Sequence, residues 1–400
     1  MKKKVFCGLN EGDELLRENT GLSKTFVPLQ PIIKWPGGKE TELPYIREYL
    51  PEKYNNFYEP FVGGGSVFMW MEANRYFVND KSKELASLYN SISAQNDRFF
   101  SIVENISQSW KNELSFAKRN EKYLKLYLKF REGDVSRDSL VSTISGYLEK
   151  DKGKLLSCLS GFFSWHRDIF EKELFVNLCR KLQRMKKLES EKGNMPSGDV
   201  YDNIETAFMS ALYMYFRALY NDKSLTSADE DLGTALFVFI RNYAYSGMFR
   251  YNDKGDFNVP YGGIAYNRKL MDKKQVYYRS QPVQERFART TVYNCDFEEF
   301  FSKASPRKDD FIFLDPPYDS EFSTYARNVF GREDQERLAD YLINRCKAQW
   351  MMIIKNTPFI KSLYENKGLN IQAFGKKYLV SFMNRNEKDV EHLIIMNYGK

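Results

Sequence analysis

Residues 309–318 read DDFIFLDPPY. Four consecutive apolar residues, Phe311 to Leu314, show no polar alternation. Such a run is typical of a strand covered on both faces, as in a largely parallel sheet layered with helices. Pro316 and Pro317 then remove two N–H donors and fix the backbone, so the strand must stop there. A chain containing this segment is expected to be an α/β protein.

The flanking sequence fits that class. NNFYEPF (55–61) reads as a strand running into a Gly-rich turn, SVFMWMEANR (66–75) as the following helix, and YFVND (76–80) as the next strand. After DPPY come a helix, EDQERLADYLINRC, a strand, QWMMIIK, and a closing strand, HLIIMNY. Between about 95 and 235 the texture changes to helical patterns rich in Lys, Tyr and Phe, such as KYLKLYLKF (122–130). RKLQRMKKLESEK (180–192) carries six basic and two acidic residues, the pattern of a solvated helix face or of a phosphate-contacting one. EKGNMPSGD (191–199) reads as a loop within it. The expected organisation is a loose arm over 1–30, an α/β domain from 31–95 and 290–400, and an inserted, mostly helical domain over 96–289.

Composition removes several function classes. The net charge of +7 suits a polyanionic partner better than an acidic one. Two histidines, His166 and His392, are too few for a His-rich metal centre, so no metal is expected. No GxSxG elbow supports a Ser-His-Asp triad. The five cysteines, 7, 158, 179, 295 and 346, are odd in number and scattered, with no secretory signal before them, so reduced thiols in a cytoplasm are expected. No uncharged run approaches the roughly 18 residues needed to span a bilayer.

Four segments carry the chemistry. Phe61-Val-Gly-Gly-Gly-Ser66 is a Gly-rich turn between strand and helix, where a ligand can approach the backbone. Alone it fits NAD, another nucleotide or no ligand, and no GKS or GKT follows to make a phosphate loop. Asp80, at the end of the next strand, is placed either to accept two ribose hydroxyls or to cap the helix that NDKSKE begins. At Asp315-Pro316-Pro317-Tyr318 a carboxylate and the Pro316 carbonyl can both face a pocket as acceptors, with Tyr318 offering a flat face. A planar amine with two N–H donors fits that arrangement; a plain turn capped by Pro-Pro is the alternative. The fourth segment, Ile32-Ile-Lys-Trp-Pro-Gly-Gly-Lys39, places Trp35 beside paired glycines and two lysines, Lys34 and Lys39, for either a cofactor or DNA.

Taken together, these segments resemble the Dam-type (D12 class) DNA adenine-N6 methyltransferases. KWPGGK (34–39), EPFVGGG (59–65), ND (79–80), RYNDKGDFNVPYGG (250–263), NCDFEEF (294–300) and DPPY (315–318) stand where that family has its signatures. The terminal NEKDVEHLIIMNY resembles its closing strand, and the likeness spans roughly 31–95 and 231–398. Pro36 and Gly64 replace alanines, both changes expected to be conservative. Ser246 and Met248 stand where compact GATC-specific members carry Asn and Leu, and the stretch from about 95 to 230 is longer than theirs, so the target sequence is expected to differ.

The resemblance implies a Rossmann-like S-adenosylmethionine-dependent methyltransferase sheet with a target-recognition domain and β-hairpin inserted, acting on an adenine flipped out of double-stranded DNA. It implies that Phe61, Gly63 and Gly65 pack on S-adenosylmethionine, Asp80 takes its ribose, Asp296 and Phe297 hold its adenine, and Trp35 and Lys39 flank its methionine end. Asp315, Pro316, Pro317 and Tyr318 become the catalytic set. Lys34, Tyr245, Ser246, Met248, Arg250 and Asn252 become DNA contacts, the last group around a hairpin over 248–262 turning at Asp253-Lys254-Gly255. A restriction–modification, phage or epigenetic setting is implied, with any cognate endonuclease acting independently. Two other readings stay open: N4-cytosine methylation, against which Asp315 argues since N4 enzymes usually carry Ser there, and DNA binding without catalysis, against which the intact segments argue.

Overall fold

The structure, a computed structural model, describes residues 28–164, 166–318, 330–377 and 389–399. The arm expected over 1–30 lies, but for its last three residues, outside the described residues. The chain divides into two compact units, one of Met1–Ala86 with Gln281–Lys400 and one of Ser87–Ser280.

The first unit is built on a seven-stranded sheet: β1 (Phe57–Glu59), β2 (Tyr76–Asn79), β3 (Thr290–Tyr293), β4 (Phe311–Leu314), β5 (Gln349–Lys355), β6 (Asn370–Lys377) and β7 (Asp389–Met396). Their order is β3-β2-β1-β4-β5-β7-β6. β1 to β5 are parallel, and β7 runs antiparallel between β5 and β6. All four residues of β4 are buried, as its unbroken apolar run requires. The chain moves outward from β1 through β2 to β3, then returns to the other side of β1 at β4. In open α/β sheets a ligand crevice lies at the carboxyl ends of the strands where this reversal occurs.

One expectation for this unit needs revision, and two elements lie outside the sequence reading. Residues 66–70 form successive turns and not a helix. The carbonyls that a continuing helix would use are taken elsewhere: that of Phe68 by the buried Arg286 side chain and that of Met69 by the Leu29 N–H at 3.1 Å. The segment is also buried almost all round, so it lacks the polar face of a surface helix. β6 and the helix Pro358–Tyr364 were not expected. β6, NIQAFGKK, is an edge strand with little apolar alternation, so periodicity does not mark it.

The second unit is helical, with long helices at Asp97–Arg119, Arg137–Leu156, Arg167–Lys192 and Ser197–Asn221. Sequence-local caps start several of them: Asn96 accepts from Phe99 N–H, Ser136 from Ser139 N–H, and Asp229 from Leu232 N–H. Within the basic run 180–192, Leu182 and Met185 are buried. Lys181 donates to Asn203, Lys186 to the Phe130 carbonyl, and Lys187 pairs with Glu191. These partners belong to helix packing and to a solvated face.

The hairpin over 248–262 turns at the expected residues but is not a regular ribbon. It has a bridge at Tyr251–Phe257 and hydrogen bonds from Asn252 N–H to Asp256 O, 2.9 Å, and from Asn258 N–H to Arg250 O, 3.1 Å.

Candidate functional site

Each strand end at the reversal carries part of a charged cluster. The Lys34–Lys39 loop carries Lys39 beneath it, its side chain 2% exposed as a residue. Lys39 Nζ donates to the Gly37 carbonyl at 2.8 Å and forms an ion pair with Asp315 at the end of β4. It also lies 5.9 Å from the ring centroid of Tyr318. The Pro317 carbonyl accepts from the buried Gln335 side chain at 2.9 Å, and Tyr318 stands 5.5 Å from the His392 ring of β7. The Asp-Pro-Pro-Tyr turn is therefore held at three points by residues distant in sequence.

Glu59 closes β1 and is 2% exposed. Its Oε2 is buried with no hydrogen-bond partner among the described residues. Burial, and then the neighbouring Asp315 carboxylate, hold its carboxyl well above the usual range, against the opposing effects of the Phe68 N–H and Lys39. A buried acceptor without a partner costs free energy on the order of 1–3 kcal/mol, so its position in this cluster invites a donor. Sequence reading missed Glu59, Gln335 and His392. The available signals were a carboxylate inside the otherwise apolar strand FYE and its place at the head of EPFVGGG.

Asp80 follows β2. Its Oδ2 accepts from Gly63 N–H at 3.0 Å and its Oδ1 from Ser82 N–H at 2.8 Å. Burial is the main cause that raises its carboxyl to about 6. It is not the cap of the Lys83–Ser93 helix; Ser82 Oγ takes that role by accepting from Leu85 N–H at 3.3 Å. The Gly turn packs against the 32–35 segment. Gly63 has φ +50°, and a Cβ there would come 2.8 Å from Trp35 Cδ1. At Gly64 a Cβ would stand 2.2 Å from the Ile33 carbonyl oxygen. Alanine at 64 is therefore not a conservative exchange in this chain, because the Gly64 carbonyl also receives the Ile32 N–H at 3.0 Å. Gly65 is likewise left-handed, φ +81°.

Asn79 ties three strand ends together, donating to the Pro60 and Cys295 carbonyls and accepting from Cys295 N–H, all within 3.1 Å. It thereby sets Asp296 and Phe297 after β3. The Asp296 carboxylate caps the Phe297–Ala304 helix through Glu298 N–H and takes a two-pronged pair from Arg337 at 3.2 and 3.3 Å. Hydrogen bonding from Arg337 overcomes burial and lowers its carboxyl below the usual range. Phe297, Phe61 and Phe330 form an aromatic trio with centroids 5.5–5.9 Å apart. Phe330 was not foreseen.

The residues expected to touch DNA occupy the second unit, except Lys34, which is exposed in the first. Tyr245 is 53% exposed. Ser246 is left-handed, φ +53°, in a loop whose Gly247 and Met248 carbonyls accept from buried Arg241 at 3.1 and 2.9 Å. Along the hairpin Phe249, Phe257 and Val259 are buried, whereas Arg250 and Asn252 are exposed. Arg250 Nε donates to Asn258 Oδ1 at 2.8 Å, across the hairpin, and not to Asp253 or Asp256.

A model of the D12 class N6 adenine-specific DNA methyltransferases matches residues 35–150 and 172–378. The chain is similar to the type II methyltransferase M1.LlaDCHI of Lactococcus lactis subsp. cremoris, 23% identical over 385 residues, covering 94% of this chain and 99% of that one. It is 25% identical over 391 residues to the type II methyltransferase M.MjaIII of Methanocaldococcus jannaschii, covering 92% and 99%. With the DNA adenine methylase of Escherichia coli (strain K12) it shares 23% over 348 residues, 85% of each chain.

Proposed function

The chain belongs to the D12 class N6 adenine-specific DNA methyltransferase family, and we propose that the cluster of Lys39, Glu59, Asp80 and Asp315–Tyr318 is its methyl-transfer centre. The activity is methylation of adenine N6 in DNA, with S-adenosylmethionine as methyl donor. The observation that carries the site assignment is the convergence of one buried lysine and three carboxylates on the strand ends flanking the topological reversal.

The residues present fit this cofactor. Asp80 can accept ribose hydroxyls on the remaining lone pairs of its carboxylate. The partnerless Oε2 of Glu59 suits an ammonium group. Trp35 and the Phe61–Phe297 pair offer flat apolar surfaces. Because Arg337 and the helix start occupy the Asp296 carboxylate, recognition of an adenine edge there falls to backbone groups of 295–297. When bound, the cofactor supplies an electrophilic methyl group on a sulfonium.

For the substrate, Asp315 and the Pro316 carbonyl accept the two amine protons of a flipped adenine stacked on Tyr318. The amine lone pair is normally delocalised into the ring, and these two acceptors draw the nitrogen toward a tetrahedral form. Lys39 keeps a counter-charge beside Asp315, so that the carboxylate stands oriented before the base arrives, and preorganised electrostatics of this kind dominate many rate enhancements. Lys34, Tyr245, Ser246, Met248, Arg250 and Asn252 are the proposed DNA contacts, and double-stranded DNA the proposed form of substrate. The relatives named type II methyltransferases favour a restriction–modification setting, in which the mark protects sites from a separately acting endonuclease.

The test is transfer of tritiated methyl groups from S-adenosylmethionine into duplex DNA, followed by digestion to nucleosides. Wild type should yield N6-methyldeoxyadenosine, and Asp315→Ala should yield about 100-fold less per unit time or lower, the scale for one preorganised partner. Near-normal turnover of Asp315→Ala would remove this cluster from the chemistry.

A further inference from the structure

Apart from its bridge to the first arm at Tyr251–Phe257 and the pairing of 260–262 with 243–245, the hairpin's second arm has no neighbouring strand among the described residues, yet the backbone of Phe257 and Val259 is paired. The partners are side chains from one face of the Ser197–Asn221 helix. Tyr213 OH and Arg217 Nη1 both donate to the Val259 carbonyl, at 2.9 and 3.0 Å. Asn221 Nδ2 donates to the Phe257 carbonyl at 3.0 Å, and Asn221 Oδ1 accepts the Phe257 N–H at 2.8 Å. Tyr220 OH lies 3.0 Å from Tyr251 OH on the first arm. Positions 213, 217, 220 and 221 are spaced i, i+4, i+7 and i+8, so they share a helix face.

The arm alternates, with Phe257 and Val259 inward and Asn258 between them. Every backbone group that this helix grips therefore belongs to an inward residue. The outward row, Arg250, Asn252 and Asn258, keeps its side chains on the opposite side. A second helix, Glu230–Tyr243, holds the first arm through Arg241, whose guanidinium also lies 4.7 Å from the Phe249 ring centroid. Asn221 imitates one residue of an adjacent strand, giving both a donor and an acceptor to a single partner. A ribbon with so little ladder of its own slips and twists easily, so the height and tilt of the outward row are set by the helix.

We propose that Asn221 and Arg217 are positioning residues for sequence selection: through the Phe257 and Val259 backbone they fix where Arg250 and its neighbours meet the bases. This rests on the reading of the hairpin as a DNA contact. Neither residue need touch DNA: Arg217 is basic but its guanidinium is turned to the Val259 carbonyl, and Asn221 carries no charge.

The test uses the full-length protein on a pool of duplex oligonucleotides randomised around adenine, comparing wild type, Asn221→Leu, Asn221→Asp, Arg250→Ala and Tyr215→Phe. Tyr215 lies on the same helix but donates to the Phe163 carbonyl, away from the hairpin, and controls for loosening of the helical unit. Asn221→Leu should reduce discrimination between preferred and single-mismatch sites by about tenfold, the scale of losing a hydrogen-bonded pair. S-adenosylmethionine affinity, read by calorimetry, should stay within about twofold, since ligand and hairpin contacts are separate. Asn221→Asp, which keeps the acceptor and loses the donor, should fall between. A broadened sequence preference for Arg250→Ala with an unchanged one for Asn221→Leu overturns this inference alone. Equal broadening by Tyr215→Phe overturns it too, since general loosening would then suffice. An unchanged preference for Arg250→Ala instead overturns the hairpin as reader.

Discussion

The groups proposed for chemistry and those proposed for reading are built in opposite ways. In the sheet unit Lys39 and Glu59 are buried, and Lys39 is paired with Asp315. In the helical unit Arg250 and Asn252 are exposed, on a hairpin whose inward face is apolar. The difference follows from what each task needs. Shifting charge on a reacting amine works best where water is excluded and the local dielectric is low. Reading a base edge requires polar side chains that stand clear of the protein and reach into a groove. The first arrangement invests stability in buried charge, and the second invests it in the scaffold beneath an exposed row.

The contrast predicts an order of effects. Lys39→Met removes the buried cation from beside the buried Glu59 and the half-buried Asp315, and breaking a buried pair typically costs about 3–5 kcal/mol. Urea unfolding should show a loss of that size; a loss below that of a surface pair would mean that water already reaches the cluster.

Asp80→Asn should weaken S-adenosylmethionine binding by about 1.5–3 kcal/mol, the scale of hydrogen bonds to a charged acceptor. A pH signature accompanies it. The acceptor is the carboxylate, and burial raises its protonation to about 6. Affinity in the wild type should therefore fall as pH drops from 7 through about 6, and Asp80→Asn should lose the share of that slope that Asp80 contributes, leaving only what Glu59 adds. Calorimetry at several pH values would refute the ribose role by finding the same slope in both proteins.

In the helical unit, Arg250→Ala should cost about 1–3 kcal/mol at the preferred site and relax the choice at one position. Selection from randomised duplexes reads both quantities. The smallest effect is expected at Lys187→Ala, whose exposed pair with Glu191 spans 4.0 Å. Exposed i,i+4 pairs contribute about 0.3–0.5 kcal/mol, and DNA binding should keep its salt slope; a slope reduced by about one would place a phosphate on this helix instead.

Legibility differed between the two units for related reasons. The buried strands announce themselves, since FIFL and the WMMII within QWMMIIK are continuous apolar runs and QWMMIIK matches β5 end to end. The segment 66–75 misled because its apolar residues suit either a helix or a buried coil. What separated the two was the capture of its carbonyls by Arg286 and Leu29, partners that periodicity cannot supply. The hairpin turn at 253–255 was equally plain, while the sparseness of its ladder was not.

By itself, then, the sequence determined the parallel sheet, the Gly turn, the Asp-Pro-Pro-Tyr stop and the family to which they belong, because these depend on local backbone preference and on residues adjacent in the chain. It also located Asp80 and Asp315 at strand ends. Tertiary structure alone decided that Lys39 pairs with Asp315 across 276 positions of chain, that Glu59 has a buried oxygen without a partner among the described residues, that Arg337 occupies Asp296, and that a helix face stands in for a strand beside Phe257 and Val259. Each is a matter of which polar groups are left to find one another once the apolar surfaces have packed. That pairing depends on distances in space that no spacing along the chain encodes.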